Sequence, residues 1–278
     1  MDSTTKKQLE KIACKVRIGI IEGVHAAKSG HPGGSLSIAE ILTYLYFKEM
    51  NVDPENPKDP KRDRFVLSKG HAAPALYSTL AQRGYFSPDE LLHLRHIGYM
   101  LQGHPDMKHI PGVDMSTGSL GQGISAAVGM ALSSKHFGDN YNVYTILGDG
   151  EIEEGQVWEA AMFAANKGLS NLTAFIDLNN LQIDGTIDEV NSAKPVDKKF
   201  EAFGWHTITI DGNDFDAIES ALNEAKTVDK PVAIIAETVK GKGVSYMENA
   251  VNWHGAAPND EQYAVAMEEL NAALAALN

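Results

Sequence analysis

Apolar positions in the first part of the chain recur mainly at helical spacing. Leu9, Ile12, Val16 and Ile20 follow one another along one helical face, which predicts an amphipathic helix over about the first 28 residues. A second helix is predicted in SIAEILTYLYFKEM, with Ser37 as its N-cap. RFVLS has the pattern of a short strand and GHAAPALYSTLAQRG that of a helix, whereas residues 86–117 are predicted as mostly loop and short helix.

From residue 118 onward the pattern changes to strands that alternate with helices. The strands are predicted in YNVYTIL, LTAFIDL, WHTITID and PVAIIAETV, and the helices in SLGQGISAAVGMALSSKHFG, EGQVWEAAMFAANKG, KFEAFG and DAIESALNEAKTV. Gly168 suits the C-terminal cap of the second of these helices, and the tail EQYAVAMEELNAALAALN predicts a last helix. This alternation predicts an α/β fold in which a mostly parallel sheet carries helices on both faces.

Composition narrows the kind of protein. The chain has 278 residues, 43% apolar and 22% charged, as one large α/β domain or two small ones would have. The net charge of −13 does not favour nucleic-acid binding. In so acidic a chain, a site for phosphorylated ligands has to supply its own local cations or N–H groups. The single cysteine, Cys14, permits no intrachain disulfide and fits a buried structural thiol. Without a signal region or a membrane-length apolar run, we expect a cytoplasmic protein with no membrane partner.

Four carboxylates stand close together in LGDGEIEEG, directly after a predicted strand. A solvated Asp-Gly turn is one interpretation, and a cation site is the other. Strands of a parallel sheet end at one edge, so Asp149 is expected near the end of LTAFIDL, which Asn179 or Asn180 follows. One carboxylate, one amide oxygen and a loop carbonyl form a partial shell that Mg²⁺ completes with phosphate oxygens and water. With a helix beginning near Gly155, this chemistry suits a diphosphate held through a divalent ion.

The order of the motifs resembles that of the transketolase family. GDG followed by a helix, a strand and NN is similar to the thiamine-diphosphate-binding signature, which by itself indicates only that superfamily. SGHPGGSLS, LSKGHAAPALY, GHPD, STGSLGQGISAAVGMAL, LGDGEIEEGQVWEA, NNLQIDG, KGKG and WHG occur in transketolase order from about residue 10 to 258, and are far more specific. The resemblance implies a thiamine-diphosphate-binding fold, with residues 1–278 as a single domain that binds diphosphate and metal.

The same resemblance implies a set of cofactor contacts. Asp149, the Asn179 side chain and the Leu181 backbone carbonyl would bind Mg²⁺ or Ca²⁺, and Gly150 would contact the diphosphate of the cofactor, thiamine diphosphate, through its backbone. The backbone of Gly118, Ser119 and Leu120 would line the cofactor site, and Lys240 would contact the diphosphate as a lysine does in some transketolases. The remaining acids of the cluster and its helix are expected at the surface, Glu154 and Glu159 near a subunit interface and Glu151 and Glu153 facing solvent.

Four of the ten histidines lie beside glycine in loops. A sugar-phosphate site needs hydrogen-bond donors for hydroxyls and groups that move protons near neutral pH. By the resemblance, His31, His104 and His254 surround the substrate carbonyl and hydroxyls, and His71 and His254 approach the diphosphate. No site role is expected for the other six, which are His25, His93, His96, His109, His136 and His206.

Parts of a complete transketolase have no counterpart in this sequence. In the family, a glutamate on a pyrimidine-binding domain activates the cofactor across a subunit interface, and further groups hold the substrate phosphate. The chain ends soon after WHG, and no second set of alternating strands and helices carries that glutamate. We therefore expect the N-terminal subunit of a split transketolase, which transfers a two-carbon ketol unit between sugar phosphates with a C-terminal partner subunit in an α₂β₂ assembly.

Two other interpretations remain. Another thiamine-dependent enzyme, such as a 1-deoxyxylulose-phosphate synthase or the α subunit of a 2-oxo acid dehydrogenase, is disfavoured by the set of His31, His104 and His254. A non-catalytic paralogue is disfavoured because Asp149 and Asn179 are both suitable ligands.

Overall fold

One sheet of five parallel strands organises the chain, for which the computed structural model describes residues 1–278. The strands are β1 (Arg64–Leu67), β2 (Val143–Gly148), β3 (Leu172–Leu178), β4 (His206–Asp211) and β5 (Val232–Glu237). Their order in the sheet is β1-β2-β3-β5-β4, and each neighbouring pair is parallel. Every strand overlaps a segment predicted from the sequence, with β2 extending one residue beyond its segment to Gly148, so the predicted α/β class with a parallel sheet is confirmed.

Helices cover both faces of this sheet, as predicted. Side chains alternate along the strands, so that Tyr144 and Ile146 of β2 join one buried apolar cluster while Val143 and Leu147 join the other. The helices are α1 (Ser3–Ala27), α2 (Pro32–Leu36), α3 (Ala39–Tyr44), α4 (Ala73–Arg83), α5 (Gln122–Phe137), α6 (Gly155–Asn166), α7 (Ile187–Val190), α8 (Val196–Ala202), α9 (Phe215–Ala225) and α10 (Asp260–Ala276). Helices α1, α3, α4, α9 and α10 complete the first cluster, and α5, α6 and α8 complete the second.

The segment predicted as one helix from residue 37 is divided. It forms α3 followed by a π-helical turn, Leu45–Glu49, and Ile38 stands at the N-cap position of α3. Ser37 ends α2 instead, and its hydroxyl donates to the buried Asp177 carboxylate at 2.7 Å. The prediction of Ser37 as an N-cap is wrong because this hydroxyl bonds a residue of β3 rather than a backbone N–H of its own helix.

Three smaller expectations can be compared with the structure. Gly168 directly follows the C-cap of α6 with a left-handed φ of +56° and donates to the Ala165 carbonyl, so it ends that helix as predicted. Cys14 is buried, as predicted, and its Sγ lies 3.2 Å from the Leu270 carbonyl oxygen. None of the helices has both the length and the apolar character needed to span a bilayer.

The carboxyl ends of β2, β3 and β5 lie side by side. Gly148 pairs with Asp177 and Leu178 pairs with Glu237, so the loops that follow these strands begin at neighbouring points. The loop at the start of α2 reaches the same edge, where the Gly241 N–H donates to the Gly33 carbonyl. Ligands of parallel α/β sheets bind outside this edge.

Candidate active site

A cavity of about 270 Å³ opens at the carboxyl edge of the sheet. Only three of its lining residues are hydrophobic, so its walls suit a polar ligand. The predicted site residues that line it are His31, His71, Gly118, Leu120, Asp149, Gly150, Asn179, Leu181, Lys240 and His254. Ser119 and His104 do not line it. The structure thus brings together ten of the twelve residues that the sequence indicated.

Asp149 is held in place by two backbone donors. The Gly150 N–H donates to its Oδ1 at 2.9 Å, and the Asn180 N–H donates to its Oδ2 at 2.6 Å. The second bond joins the ends of β2 and β3, which is the convergence predicted from the sheet topology. Burial, followed by the negative charge of Asp177, raises the pKa of Asp149 to about 7. A buried carboxylate of this kind is strongly stabilised by a neighbouring divalent cation.

Asn179 is oriented by its neighbours so that its oxygen is defined. Its Nδ2 donates to Asp177 Oδ2 at 2.8 Å, and its Oδ1 accepts the Leu181 N–H at 3.1 Å. Because only the amide nitrogen can donate to a carboxylate, Oδ1 is the atom available to a cation. Together with Asp149 and the Leu181 carbonyl, it makes an all-oxygen set, which hard cations such as Mg²⁺ and Ca²⁺ prefer.

The protein atoms at this side of the cavity would fill only part of the coordination shell of a metal ion. No group of three His, Cys, Asp or Glu side chains in the chain is placed to hold a metal ion. A cation at Asp149 therefore has to draw on amide, carbonyl and external oxygens. Phosphate oxygens and water are the usual remaining partners of Mg²⁺, so the residues present fit an ion that arrives with a diphosphate.

Lys240 and His254 place a cationic group on the same wall. Lys240 is almost fully buried, and its Nζ donates to the Leu181 carbonyl at 2.9 Å and lies 3.0 Å from His254 Nδ1. Burial lowers the pKa of Lys240 to about 8. Burial, followed by the charge of Lys240, lowers the pKa of His254 to about 3. His254 is therefore neutral at pH 7 and accepts the bond from the ammonium group.

The rings of His31, His71 and His254 form a triangle. Their centroids lie 5.3 Å (His31 to His71), 5.5 Å (His31 to His254) and 5.2 Å (His71 to His254) apart. Burial is the first cause that lowers the pKa of His31, to about 4, and that of His71, well below its usual value. The Nδ1 of His31 is buried without a partner, so a ligand hydroxyl at this point would satisfy a polar atom that the chain leaves unpaired.

Two glycines keep the cavity open. A Cβ added to Gly34 would lie 3.6 Å from His71 Nε2 and 3.7 Å from Lys69 Nζ, so longer side chains would extend into the space beside these groups. Gly118 has φ +142°, and a Cβ there would lie 2.9 Å from His104 Cγ. Only glycine lets the turn pass this close to the ring. His104, which is exposed, therefore stands at the rim of the cavity.

Glu151 is buried, so the prediction that it faces solvent is wrong. Its Oε1 accepts the Ser68 hydroxyl at 2.5 Å and the Gly121 N–H at 3.0 Å, and its Oε2 accepts the Gly148 N–H at 3.0 Å. Burial raises its pKa. The carboxylate joins three loops around the cavity, and its partner Ser68 stands 83 residues away, beyond the reach of any local pattern. Glu153, also predicted to face solvent, is half-buried and accepts a bond from a glutamine amide at 2.9 Å.

A buried ion pair beneath the cavity was not predicted. Lys69 Nζ donates to Asp177 Oδ2 at 2.5 Å and to the Gly34 carbonyl at 2.7 Å, and both charged side chains are almost fully buried. Burial alone would raise the pKa of Asp177, but the Lys69 charge and the hydroxyl donors Ser37 and Thr238 hold it below its usual value. Asp177 thus remains ionised and orients the Asn179 amide. The sequence shows Lys69 only as one lysine in LSKGH, with no sign of its partner.

The fold and the site together define a class of protein. A parallel α/β domain presents a carboxylate, an amide oxygen and a backbone carbonyl beside a buried lysine and neutral histidines, a set of groups that suits a diphosphate held through a hard cation. Residues 8–273 match the family model described as transketolase, thiamine diphosphate binding domain. The chain therefore belongs to this family.

The chain resembles both relatives of about its own length and relatives that are much longer. It is 48% identical over 263 residues to the 6-deoxy-6-sulfo-D-fructose transketolase subunit SqwG of Clostridium sp. (strain MSTE9), with 94% of this chain and 96% of the relative covered. It is 43% identical over 267 residues to one subunit of the apulose-4-phosphate transketolase of Phocaeicola vulgatus, with 95% and 94% covered. Human transketolase is 44% identical over 255 residues, but the match covers only 40% of its length.

Solved structures agree with this assignment. Transketolase from Campylobacter jejuni superimposes with a TM-score of 0.89 at 31% identity, covering 100% of this chain and 46% of that one. A point mutant of Pichia stipitis transketolase also gives 0.89, at 34% identity, covering 94% and 40%. The chain thus spans less than half of these enzymes. The resemblance to the N-terminal, thiamine-diphosphate-binding part of transketolase is confirmed.

Proposed function

We propose that this chain is the N-terminal subunit of a two-subunit transketolase. With a C-terminal partner subunit, it transfers a two-carbon ketol unit from a ketose phosphate to an aldose phosphate. The observation that carries the proposal is that oxygen ligands from Asp149, Asn179 and Leu181 line one cavity with three neutral histidines. Two relatives of nearly the same extent are named as transketolase subunits, which supports the two-chain arrangement.

The metal wall of the cavity holds the diphosphate end of the cofactor. Asp149, the Asn179 amide and the Leu181 carbonyl bind Mg²⁺, or Ca²⁺, which prefers the same oxygens. Lys240 donates to the Leu181 carbonyl, so a diphosphate bound with its cation beside Leu181 would give this ammonium an anionic partner in the same place. Gly150 contacts the diphosphate through its backbone on this wall.

The remaining proposed cofactor contacts come from His71 and from the turn before α5. His71 approaches the diphosphate, and the backbone of Gly118, Ser119 and Leu120 lines the cofactor. Gly118 and Leu120 already border the cavity, and the left-handed φ of Gly118 shapes the turn. Ser119 lies between them and contributes its backbone alone.

Thiamine diphosphate supplies the carbanion and the electron sink of ketol transfer. The chain supplies groups that bind substrate and move its protons. His31 offers a buried Nδ1 without a partner, and His254 keeps Nε2 free because its Nδ1 is bonded to Lys240. Both rings are neutral at pH 7. The unpaired Nδ1 of His31 can accept a hydrogen bond from a substrate hydroxyl and take up a proton as charge develops, whereas His254, whose Nδ1 accepts from Lys240, carries its ring proton on Nε2 and can donate to a substrate oxygen. His104 at the rim meets the hydroxyls farther from the cofactor.

A partner is needed to close the cavity on its open side. The turn before α5 and the two helices α5 and α6 expose apolar side chains: Leu120 is 37% exposed, Phe137 73%, Met162 60% and Phe163 42%. Leu120 also lines the cavity, so this surface continues from the site itself. The acids Glu154 and Glu159 are exposed beside it. A pyrimidine-binding subunit on this surface would supply the second wall, and two-fold symmetry would give α₂β₂.

A reconstitution assay tests the proposal. The purified chain, a C-terminal transketolase subunit, and their equimolar mixture are each given thiamine diphosphate, Mg²⁺, ribose 5-phosphate and one ketose donor. Donors are xylulose 5-phosphate and the two sugars named for the relatives, 6-deoxy-6-sulfofructose and apulose 4-phosphate. We expect turnover only in the mixture, because the chain alone offers no wall for the pyrimidine ring.

Two results would contradict the proposal. Robust turnover by the chain alone, with mass spectrometry excluding a contaminating partner, would show that no second subunit is required. Carbon dioxide release from pyruvate by the mixture, without ketol transfer, would indicate a different thiamine-dependent reaction.

A further inference from the structure

Arg95 stands in a rare backbone conformation at the start of an exposed loop. Its φ is +61°, which residues other than glycine seldom adopt. Its N–H donates to the Leu101 carbonyl at 2.8 Å, so residues 95–101 form a closed loop. Such a conformation persists where the surrounding contacts hold it.

The guanidinium group of Arg95 joins two separate loops. Nη1 donates to the Ser29 hydroxyl at 3.1 Å, and Nη2 lies 3.5 Å from the Gly103 carbonyl oxygen. A Cβ on Gly103 would lie 3.1 Å from Cζ and 3.2 Å from Nε, so the group rests directly against the Gly103 backbone. Ser29 precedes His31 by two residues, and Gly103 directly precedes His104. One side chain thus connects the loops of both histidines.

The charge of Arg95 is not neutralised by any carboxylate. None of the ion pairs of the chain includes it. The pKa of His31 is lowered first by burial and second by the positive charge of Arg95. The pKa of His104 is lowered by the same two causes in the same order, although much of its side chain is exposed. The other groups that face His31 are His71, His104, Lys240 and His254.

We propose that Arg95 is a positioning residue that joins the loop of His31 to the loop of His104 and thereby fixes the spacing of the two imidazoles. The inference rests on the proposed function, in which both histidines contact the substrate. His31 lies in the cavity and His104 at its rim, so their spacing sets the width of the path that the substrate follows. A displacement of about 1 Å at a reacting centre costs on the order of 10²-fold in rate.

Hydrogen exchange of the full chain without a partner tests the bridge directly. We compare Arg95→Met and Arg95→Lys with the parent and with a control, Lys230→Met, which removes an exposed cation that lies outside both loops. Peptides that contain Ser29 to His31 and Gly103 to His104 should both exchange faster in the two Arg95 variants, because neither side chain can bond both loops. Unchanged exchange in both peptides would overturn the inference.

Histidine titration by NMR separates the charge of Arg95 from its bridging geometry. Resonances are assigned with His31→Asn and His104→Asn. Arg95→Met removes a positive charge and should raise the pKa of His104 toward its usual value, whereas Arg95→Lys should leave it close to that of the parent. Equal titration in all variants would show that the guanidinium does not lie beside His104. If Arg95→Met does not fold, Arg95→Lys still decides the exchange experiment.

The reconstituted enzyme gives the functional readout. Arg95→Met is expected to lower kcat at least about tenfold, because the histidines are displaced. The affinity for thiamine diphosphate should not change, because Arg95 contacts no proposed cofactor ligand. An active parent enzyme with an equally active Arg95→Met variant would overturn the inference. An inactive parent with faster exchange in both peptides would instead count against the proposed function and leave the bridge in place.

Discussion

Asp149→Asn is expected to stabilise the ligand-free chain and to abolish most of its stabilisation by the metal and cofactor. The pKa of this buried carboxyl is raised from 3.8 to about 7. A carboxyl with a raised pKa contributes most to stability below pH 3.8, and the contribution is lost as the pH rises through about 7. About three pH units correspond to about 4 kcal/mol, which is the upper limit of what ionised Asp149 costs the fold at pH 8.

Asparagine removes this charge but keeps the shape. Its single amide oxygen can accept from either Gly150 or Asn180, whereas the carboxylate accepts from both, and the lost bond costs about 1–2 kcal/mol. The balance predicts a gain of roughly 2 kcal/mol at pH 8, or about 3 °C in Tm for a chain of this size. The gain should largely disappear at pH 5, where the folded parent binds the proton.

Thermal and urea unfolding at pH 5 and pH 8, with and without Mg²⁺ and thiamine diphosphate, measure both effects. Asp184→Asn, an exposed acid in the loop after β3, is the matched control. Ligands at 100 times their Kd should stabilise the parent and the control by about 2.7 kcal/mol and Asp149→Asn far less. The reasoning is refuted if Asp149→Asn is less stable than the parent at pH 8 without ligands, or gains as much from them.

Three further changes address other parts of the site. Asp177→Ala leaves the Lys69 ammonium buried without a partner, so the free energy of unfolding in urea should fall by roughly 3–5 kcal/mol, and a negligible loss would contradict the ion pair. His104→Ala should lower kcat of the reconstituted enzyme by about 10²–10⁴ while calorimetry shows unchanged cofactor affinity; lost affinity with an unchanged kcat would contradict its place at the rim. Diphosphate affinity should fall as the pH rises through about 8, where Lys240 loses its proton, and Lys240→Met should lack this dependence; equal pH profiles would exclude Lys240 as the titrating group.

The periodicity of the sequence was sufficient to predict the fold and the approach of Asp149 to the turn at Asn180. A parallel sheet places all strand ends at one edge, so the convergence of Asp149 with the turn at Asn180 depends only on β2 and β3 being neighbours. Helix boundaries were less predictable where side chains had partners in other elements. Ser37 has the chemistry of an N-cap, but Asp177 takes its hydroxyl.

The hydrogen bonds and the ion pair that support the site could not be predicted from the sequence around each residue. Glu151 stands in a glycine-rich acidic turn whose composition suits a surface, and its burial becomes favourable because the distant Ser68 and Gly121 donate to it together with the nearby Gly148 N–H. Lys69 and Asp177 are 108 residues apart, and neither segment shows that the other is near. Pairs of this kind become visible only once the strands are placed in order.

Calorimetric titration of thiamine diphosphate with Mg²⁺, at increasing concentrations of the C-terminal subunit, tests the central claim most directly. The chain alone should bind weakly, because it holds only the diphosphate end, and affinity should rise until the subunits are equimolar. In the saturated mixture, Asp149→Ala should bind at least about tenfold more weakly, or about 1.4 kcal/mol, because the only charged side chain proposed to bind the metal is gone. Equal affinity with and without the partner, or parent-like binding by Asp149→Ala, would contradict the account.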